Sequence, residues 1–504
     1  MTTRLPSLRP SAWLFAALLA TCAASAASAA PLAPNAGQRQ LIARGYGMFI
    51  HFGVNTFNEI EWSKGDLPAA SYHPTALDCD QWIATAKEAG FRHVILITKH
   101  HDGFCLWDSK FTDYDVASSP VPTDVVAAVA KACRKYGVEL GLYYSLWDRH
   151  EPTHREKDPT RYVAFMKSQL TELLSNYGDI CEVWFDGAWA KPDDHWNIPE
   201  LYALIKSLQP NCQVTVNHTI GPRPPKGGQV KNPEAYVAGD VIRFWPVDFR
   251  TKDPNLARTD DPKEYTAPDG TRHYLPFEHT ICISDRWNWF QKKNILPART
   301  PDELEELFYW CTANDNVLIV NLPPDQTGRL RENEREAILR TADQLGIRGG
   351  AHPLPAAPLN QAAGVPATAD SERSPEFAAA HAVDGRLEGT RWEAAERVAS
   401  LTLAPAQPFV FDRVAIHEHA DMIDLGDNFS KQRNFRVEAF AVDAFRDGAW
   451  HTLHEGQTIG AAKILRFPAK ITAEKLRLRI TAASKPAGIA LITVSDTATI
   501  RPRG

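Results

Sequence analysis

Three things are scarce in this 504-residue chain, and each scarcity closes off a class of function. Positive charge is not in excess: 55 Lys and Arg stand against 61 Asp and Glu, a formal net charge of −6, which argues against nucleic acid as a partner. Beyond the N-terminus no run has the length and hydrophobicity of a membrane-spanning helix, so a mature protein with no membrane span is expected. The cysteines at 79, 105, 133, 181, 212, 282 and 311 show no CxxC spacing and lie mostly in apolar or periodic segments. They read as mainly buried free thiols, with room for one disulfide in an oxidising compartment.

What is present is an ordinary globular composition, 44% hydrophobic and 23% charged, with room for two or three domains. Residues 1–30 carry Arg4 and Arg9, an apolar stretch over 13–20, and small residues ending at Ala29 and Ala30. This is the pattern of a cleaved secretory signal and implies a periplasmic or secreted protein. Thr21 fits poorly in front of Cys22, so a lipid anchor there is not expected. Without the signal, 53 Lys and Arg face 61 Asp and Glu, a net charge of −8.

From residue 46 to about 346 short apolar runs alternate with amphipathic stretches, which predicts an α/β class and a (β/α)8-type barrel over 31–348. Strands are expected at 46–53, 93–100, 138–146, 180–187, 213–218, 240–245, 279–285 and 317–322, and eight closes a barrel. Helices are expected at 80–89, 124–136, 161–177, 199–208 and 301–312, several stopped by Gly90, Gly137 or Gly178, with a last helix inside 324–346. Residues 220–276 are rich in Pro, Gly and charge, so the strand at 240–245 has the weakest pattern. The Ala-, Pro- and Gly-rich stretch 349–366 reads as a linker, and 367–504, with short alternating strands at 413–417, 435–441 and 475–480, as a β-sandwich.

Polar residues gather at the predicted strand ends. VWFDG, 183–187, delivers Asp186 to the carboxyl end of a buried strand, followed by Gly187 and flanked by Trp184 and Trp189. A carboxylate nucleophile facing a sugar that stacks on indole suits that setting, although an isolated aspartate there would more often cap a helix or turn. YGMFIHFGVNTF places His51 after an apolar strand, HVILITKHHDGFCLW places His100 and His101 at another strand end, and 138–147 offers Tyr143 and Tyr144. One histidine is usually core packing; three of them, a tyrosine and an acid at ends that converge on one pocket are hard to explain that way.

These motifs resemble the α-L-fucosidases of glycoside hydrolase family 29 over about residues 38–346, through MFIHFGVNTF, the Glu61-Trp62 pair, AGFRHVILITKHHDGFCLW, LGLYYSLWD, VWFDG and NVLIVNLPPDQTGRL. The resemblance implies an enzyme that needs no cofactor or metal and releases terminal α-linked L-fucose from oligosaccharides or glycoconjugates, with retained configuration and Asp186 as nucleophile. A retaining site needs a second carboxyl, and the resemblance assigns it to Glu278 in YLPFEHTICISDRWNWF, over Glu234, Asp248 and Glu264. It also implies fucose contacts from His51, Glu61, Trp62, His100, His101, Tyr143 in preference to Tyr144, Trp184 and Trp287. Arg243, or failing it Arg258, would hold Asp186 ionised. The HFGVNTF and LPFE forms lean toward the branch acting on α-1,3 and α-1,4 fucose. AVDGRLEGTRW, 382–392, resembles the opening of galactose-binding-like domains, in which Asp384 and Gly385 fit either a turn or a calcium loop.

Two other functions could use the same residues. A metal-dependent hydrolase built on His51, His100, His101 and Asp186 is disfavoured because adjacent His100 and His101 point to opposite sides of an extended strand. A non-catalytic glycan-binding barrel is disfavoured by the intact Asp186. Oligomeric state is not readable from these motifs.

Overall fold

The computed structural model describes residues 1–2, 32–223, 231–253, 256, 260–284, 287, 289–292, 297–350, 352–424 and 431–501. Residues 1–30, read above as a secretory signal, lie almost wholly outside these residues, and no described helix is long and apolar enough to cross a membrane. The seven described cysteines are free, six of them buried.

Runs buried on both faces become the inner strands: β1 (Tyr46–Ile50), β2 (His93–Lys99), β3 (Glu139–Ser145), β4 (Ile180–Asp186), β5 (Gln213–Val216) and β6 (Arg250–Thr251). After a surface hairpin of β7 (Glu264–Thr266) and β8 (Arg272–Tyr274), β9 (Phe277–Cys282) and β10 (Val317–Asn321) complete the set. The sheet order is β5-β4-β3-β2-β1-β10-β9-β6, and every neighbouring pair is parallel. Among the described residues no ladder joins β5 to β6. That seam is laced instead by Asp248 N–H donating to the Val214 carbonyl at 2.8 Å, Thr215 Oγ1 to the Phe249 carbonyl at 2.9 Å, and Thr251 N–H to Thr219 Oγ1 at 3.0 Å.

The strand expected at 240–245 is not the sixth barrel strand. Ile242 and Val241 make only isolated bridges, to Ile220 and Thr266, and the barrel position is taken by Arg250–Thr251. The replacement has no apolar run to announce it: Arg250 is fully buried and held by a two-pronged ion pair with Asp261 under the rings of Tyr265 and Phe277.

Strand alternation divides the core. Phe49, Ile95, Ile97, Tyr143, Trp184, Phe249, Val317 and Ile319 fill the barrel's interior, while a larger cluster lies between strands and helices. Helix ends follow local chemistry: Asp124 caps the helix Val125–Tyr136 by accepting from Ala127 N–H, and Gly137, at φ 65°, closes it in the left-handed region.

The second domain has its own core, packed between a five-stranded and a four-stranded antiparallel sheet. The stretch read as a linker is not free: Leu359 and Gln361 N–H groups donate to the Thr499 and Val494 carbonyls, and Ala362 sits in the sandwich core. Asp384 and Gly385 form a turn, in which Asp384 Oδ1 accepts from Arg386 N–H at 2.9 Å.

The two domains are clamped by ions. Helix Pro301–Thr312 presents Glu303, Glu305 and Glu306 to Arg433, Arg413 and His417 of the sandwich, all largely buried, with His417 Nε2 2.8 Å from Glu306 Oε2. Although burial opposes it, the Arg413 charge and the His417 bond hold Glu306 down at about 2. A depressed carboxyl stabilises fully above its unfolded value and loses that contribution as pH falls toward 2. Glu306→Ala leaves buried Arg413 short of a partner, so a loss of about 3 kcal/mol at neutral pH is expected, read as a lower urea midpoint whose difference from wild type shrinks in acid.

Candidate active site

Chain direction sends the carboxyl ends of the parallel strands to one rim, and the site is built there. Strand β4 stops at Asp186 because Gly187 turns the chain at φ 74°; a Cβ at 187 would stand 2.6 Å from Trp147 Cβ and 3.1 Å from His101 Nδ1. Asp186 is buried, and its oxygens are fixed separately: Tyr143 donates its hydroxyl to Oδ2 at 2.7 Å, and Asn217 Nδ2 donates to Oδ1 at 2.9 Å. Burial pushes the carboxyl above its usual range, while these two donors and the Gly187 N–H favour the ionised form.

His101 stands 3.6 Å from Asp186 Oδ2 through Nε2. Its tautomer follows from the neighbours. Ser145 Oγ spends its proton on the Trp147 carbonyl at 2.6 Å, so it accepts from His101 Nδ1 at 2.7 Å, and Nε2 keeps a lone pair facing the cavity. Burial first, then His51 and Arg149, hold this imidazole at about 3, so it is neutral. His51 is fixed in the same way by Asn321 Oδ1, 3.0 Å from Nδ1, and burial also keeps it and His100 neutral. These histidines offer neutral hydrogen-bonding edges at the rim.

A second acid, Asp253, follows β6. Asn217 Nδ2 donates to Asp253 Oδ1 as well as to Asp186 Oδ1, so the two carboxyl oxygens lie no more than two hydrogen-bond lengths, about 6 Å, apart. Burial and the negative charge of Asp186 raise Asp253 to about 7. Glu61 is buried at the same rim; burial raises it to about 8, with Asp253 and Asp186 adding to the shift and the indoles of Trp289 and Trp287 opposing it.

Aromatic rings form the walls. Trp289 is buried, 5.2 Å from the ring of His100 and 5.3 Å from that of His51, and Trp287 meets His51 edge-on at 4.7 Å. Across the mouth, half-exposed Trp62 lies 6.2 Å from His101 and 6.5 Å from Trp189, which stacks on His218 at 5.0 Å.

The structure therefore gathers Asp186, His51, Glu61, Trp62, His100, His101, Tyr143 and Trp287 at one rim. Tyr144, one residue on from Tyr143, faces outward and bonds Lys99 and Gln169. Three expected residues are elsewhere. Glu278 is the second residue of β9, at the entry end of its strand, so it lies at the floor of the barrel and accepts from Trp184 Nε1 at 2.9 Å. There it joins His93 and Glu182, close enough to be a metal-like trio, with Arg44 3.4 Å from Glu182. Trp184 is fully buried two residues below Asp186; it stacks under Tyr143 at 5.6 Å and supports the tyrosine from beneath, closed off from any sugar. Arg243 is paired with Asp193 at 2.9 Å and reaches the site only as a charge behind His218. Arg258 lies outside the described residues.

Sequence reasoning missed Asp253, Asn217 and Trp289 as parts of the site. The alternation in VDFRTKD was the available signal for a short strand ending beside an acid, and it was masked by the surrounding charge.

The α-L-fucosidase family model matches residues 42–350. Alpha-L-fucosidase 1 of Arabidopsis thaliana is 35% identical over 309 residues, which are 60% of this chain and 58% of that protein, so the chain spans rather over half the length of that relative. A putative alpha-L-fucosidase 1 of Oryza sativa subsp. japonica is 31% identical over 460 residues, 89% of this chain and 82% of that one. The crystal structure of a putative alpha-L-fucosidase from Bacteroides thetaiotaomicron superposes with a TM-score of 0.53 at 27% identity, covering 92% of this chain and 98% of that one. With its barrel, its rim of acids and histidines and these matches together, the chain belongs to the α-L-fucosidase family.

Proposed function

We propose that this protein is an exported, retaining α-L-fucosidase that removes terminal α-linked fucose from oligosaccharides or glycoconjugates, with Asp186 as nucleophile and Asp253 as acid/base. The observation that carries this reading is the pair of carboxyls held on one Asn217 amide, since double displacement uses two carboxyls about 5–5.5 Å apart. Asp186, kept ionised by Tyr143 and Asn217, attacks C1 of the fucose. Asp253, protonated at neutral pH because burial and Asp186 raise it, gives its proton to the departing oxygen. With the leaving group gone, the Asp253 carboxylate takes a proton from water, which releases fucose from Asp186 on the face where the glycan had been.

Around this pair His51, His100 and His101 present neutral imidazole edges to the hydroxyls, and Trp287 and Trp289 give the deoxy-methyl side an apolar wall. Export rests on the charged, apolar and small-residue order of residues 1–30. The preference for α-1,3 and α-1,4 linkages rests on the HFGVNTF and LPFE forms. Hydrolysis of an aryl α-L-fucoside followed by NMR is expected to show α-fucose as the first product, with the β anomer arising later by mutarotation. β-Fucose appearing first would overturn double displacement, and no release from any fucoside would overturn the activity.

A further inference from the structure

Trp287 belongs to two spaces at once. Its indole meets His51 at 4.7 Å on the fucose side, and it also lines a cavity of about 640 Å³ between the barrel and the sandwich. The barrel contributes Lys252, the residue before Asp253, together with Glu234; the sandwich contributes Leu387, Glu388 and His419.

The sandwich side of this cavity is fixed in place. Gly385 and Gly389, at φ 79° and 86°, bend the loop so that Leu387 packs against the barrel's core cluster, and the Asp384 turn holds its base. The ion pairs from Glu303, Glu305 and Glu306 to Arg433 and Arg413 lock the domain behind it. Burial, together with the like charge of Glu234, raises Glu388, so the two acids share this space.

We propose that this cavity receives the sugars from which fucose is cut, and that the sandwich, through Leu387, Glu388 and His419, contacts the oligosaccharide that leaves. The inference rests on the fucosidase reading and deepens it. Trp287 joins the cavity to the fucose side through His51, so a glycan leaving the fucose has this space beside it. The volume falls within the range of ligand pockets and holds an oligosaccharide rather than a single small group. An indole face beside carboxyl and imidazole groups suits stacking and hydroxyl recognition.

The test compares a neutral fucosylated tetrasaccharide with 4-nitrophenyl α-L-fucoside on the full chain. Glu388→Trp, which fills the cavity, and Glu388→Ala/His419→Ala, which strips its polar contacts, are expected to lower kcat/KM for the tetrasaccharide about tenfold or more, with aryl fucoside hydrolysis changing less than about twofold. Equal losses on both substrates, or no loss on the tetrasaccharide, would overturn the proposal. If the fucosidase reading itself fails, the wild type releases fucose from neither substrate. Calorimetry with the fucose-free oligosaccharide then decides: binding that Glu388→Trp removes supports the site, and no binding to the wild type overturns it.

Discussion

Asp186→Ala is expected to lower kcat on any α-L-fucoside by at least about 10⁴-fold, the scale on which enzymes lose rate when a covalent nucleophile is removed. The fold should survive, because the change removes a carboxylate whose burial opposes its own charge, while Tyr143 and Asn217 remain near the mouth, where water replaces the lost acceptor. A melting curve close to wild type, with binding of fucose retained, separates chemistry from collapse. Azide added to Asp186→Gly with an activated fucoside should restore turnover and give the fucosyl azide of inverted configuration. An adduct of a 2-fluoro fucoside on any residue other than Asp186 would refute the assignment.

The second large effect belongs to Asp253. Asp253→Ala is expected to cost about 10²–10⁴-fold on natural linkages, whose poor leaving groups need the proton, and far less on an aryl fucoside that leaves unaided. The sign of the pH effect follows from the direction of the shift. A carboxyl raised to about 7 is protonated below that pH, so kcat/KM for natural glycans falls as pH rises through about 7. In Asp253→Asn that alkaline limb should disappear, and azide should rescue Asp253→Ala with the retained anomer. Rescue in Glu61→Ala instead would transfer the role to Glu61, whose carboxyl sits at about 8. Glu278→Gln is the control: it keeps an acceptor for Trp184 at the barrel floor, so activity within about threefold of wild type is expected and azide should do nothing.

What was readable in the chain depended on how far each feature is local. β1 to β4 are largely apolar runs of five to seven residues that end in, or are followed at once by, a polar group, and both the strand and the direction of that side chain can be read from such a run. β6 could not be read this way, because it is two residues long and stabilised by a buried Arg250–Asp261 pair that depends on contacts eleven residues apart. Asp253 inherits that opacity, since nothing in KDP says that a barrel strand has just ended. Glu278 was assigned to the site by the resemblance alone: whether the strand begins at 279, as expected, or at Phe277, as found, residue 278 stands at its entry. Polarity then decides its place, because entry ends of parallel strands gather at the face opposite the catalytic rim. Trp184 shows a related limit. Alternation puts residues 184 and 186 on the same inner face, but two residues of strand rise set them about 6–7 Å apart in depth, enough to make one a floor and the other a reactant.

The unladdered join between β5 and β6 bears on this chemistry in another way. Asp186 and Asn217 belong to one lip of that join and Asp253 to the other, so the gap between the proposed attacking and protonating groups is spanned by a few separate bonds instead of a continuous ladder. The cylinder works there like a clasp. A change in the spacing of the two acids there would break single bonds and leave every strand ladder intact.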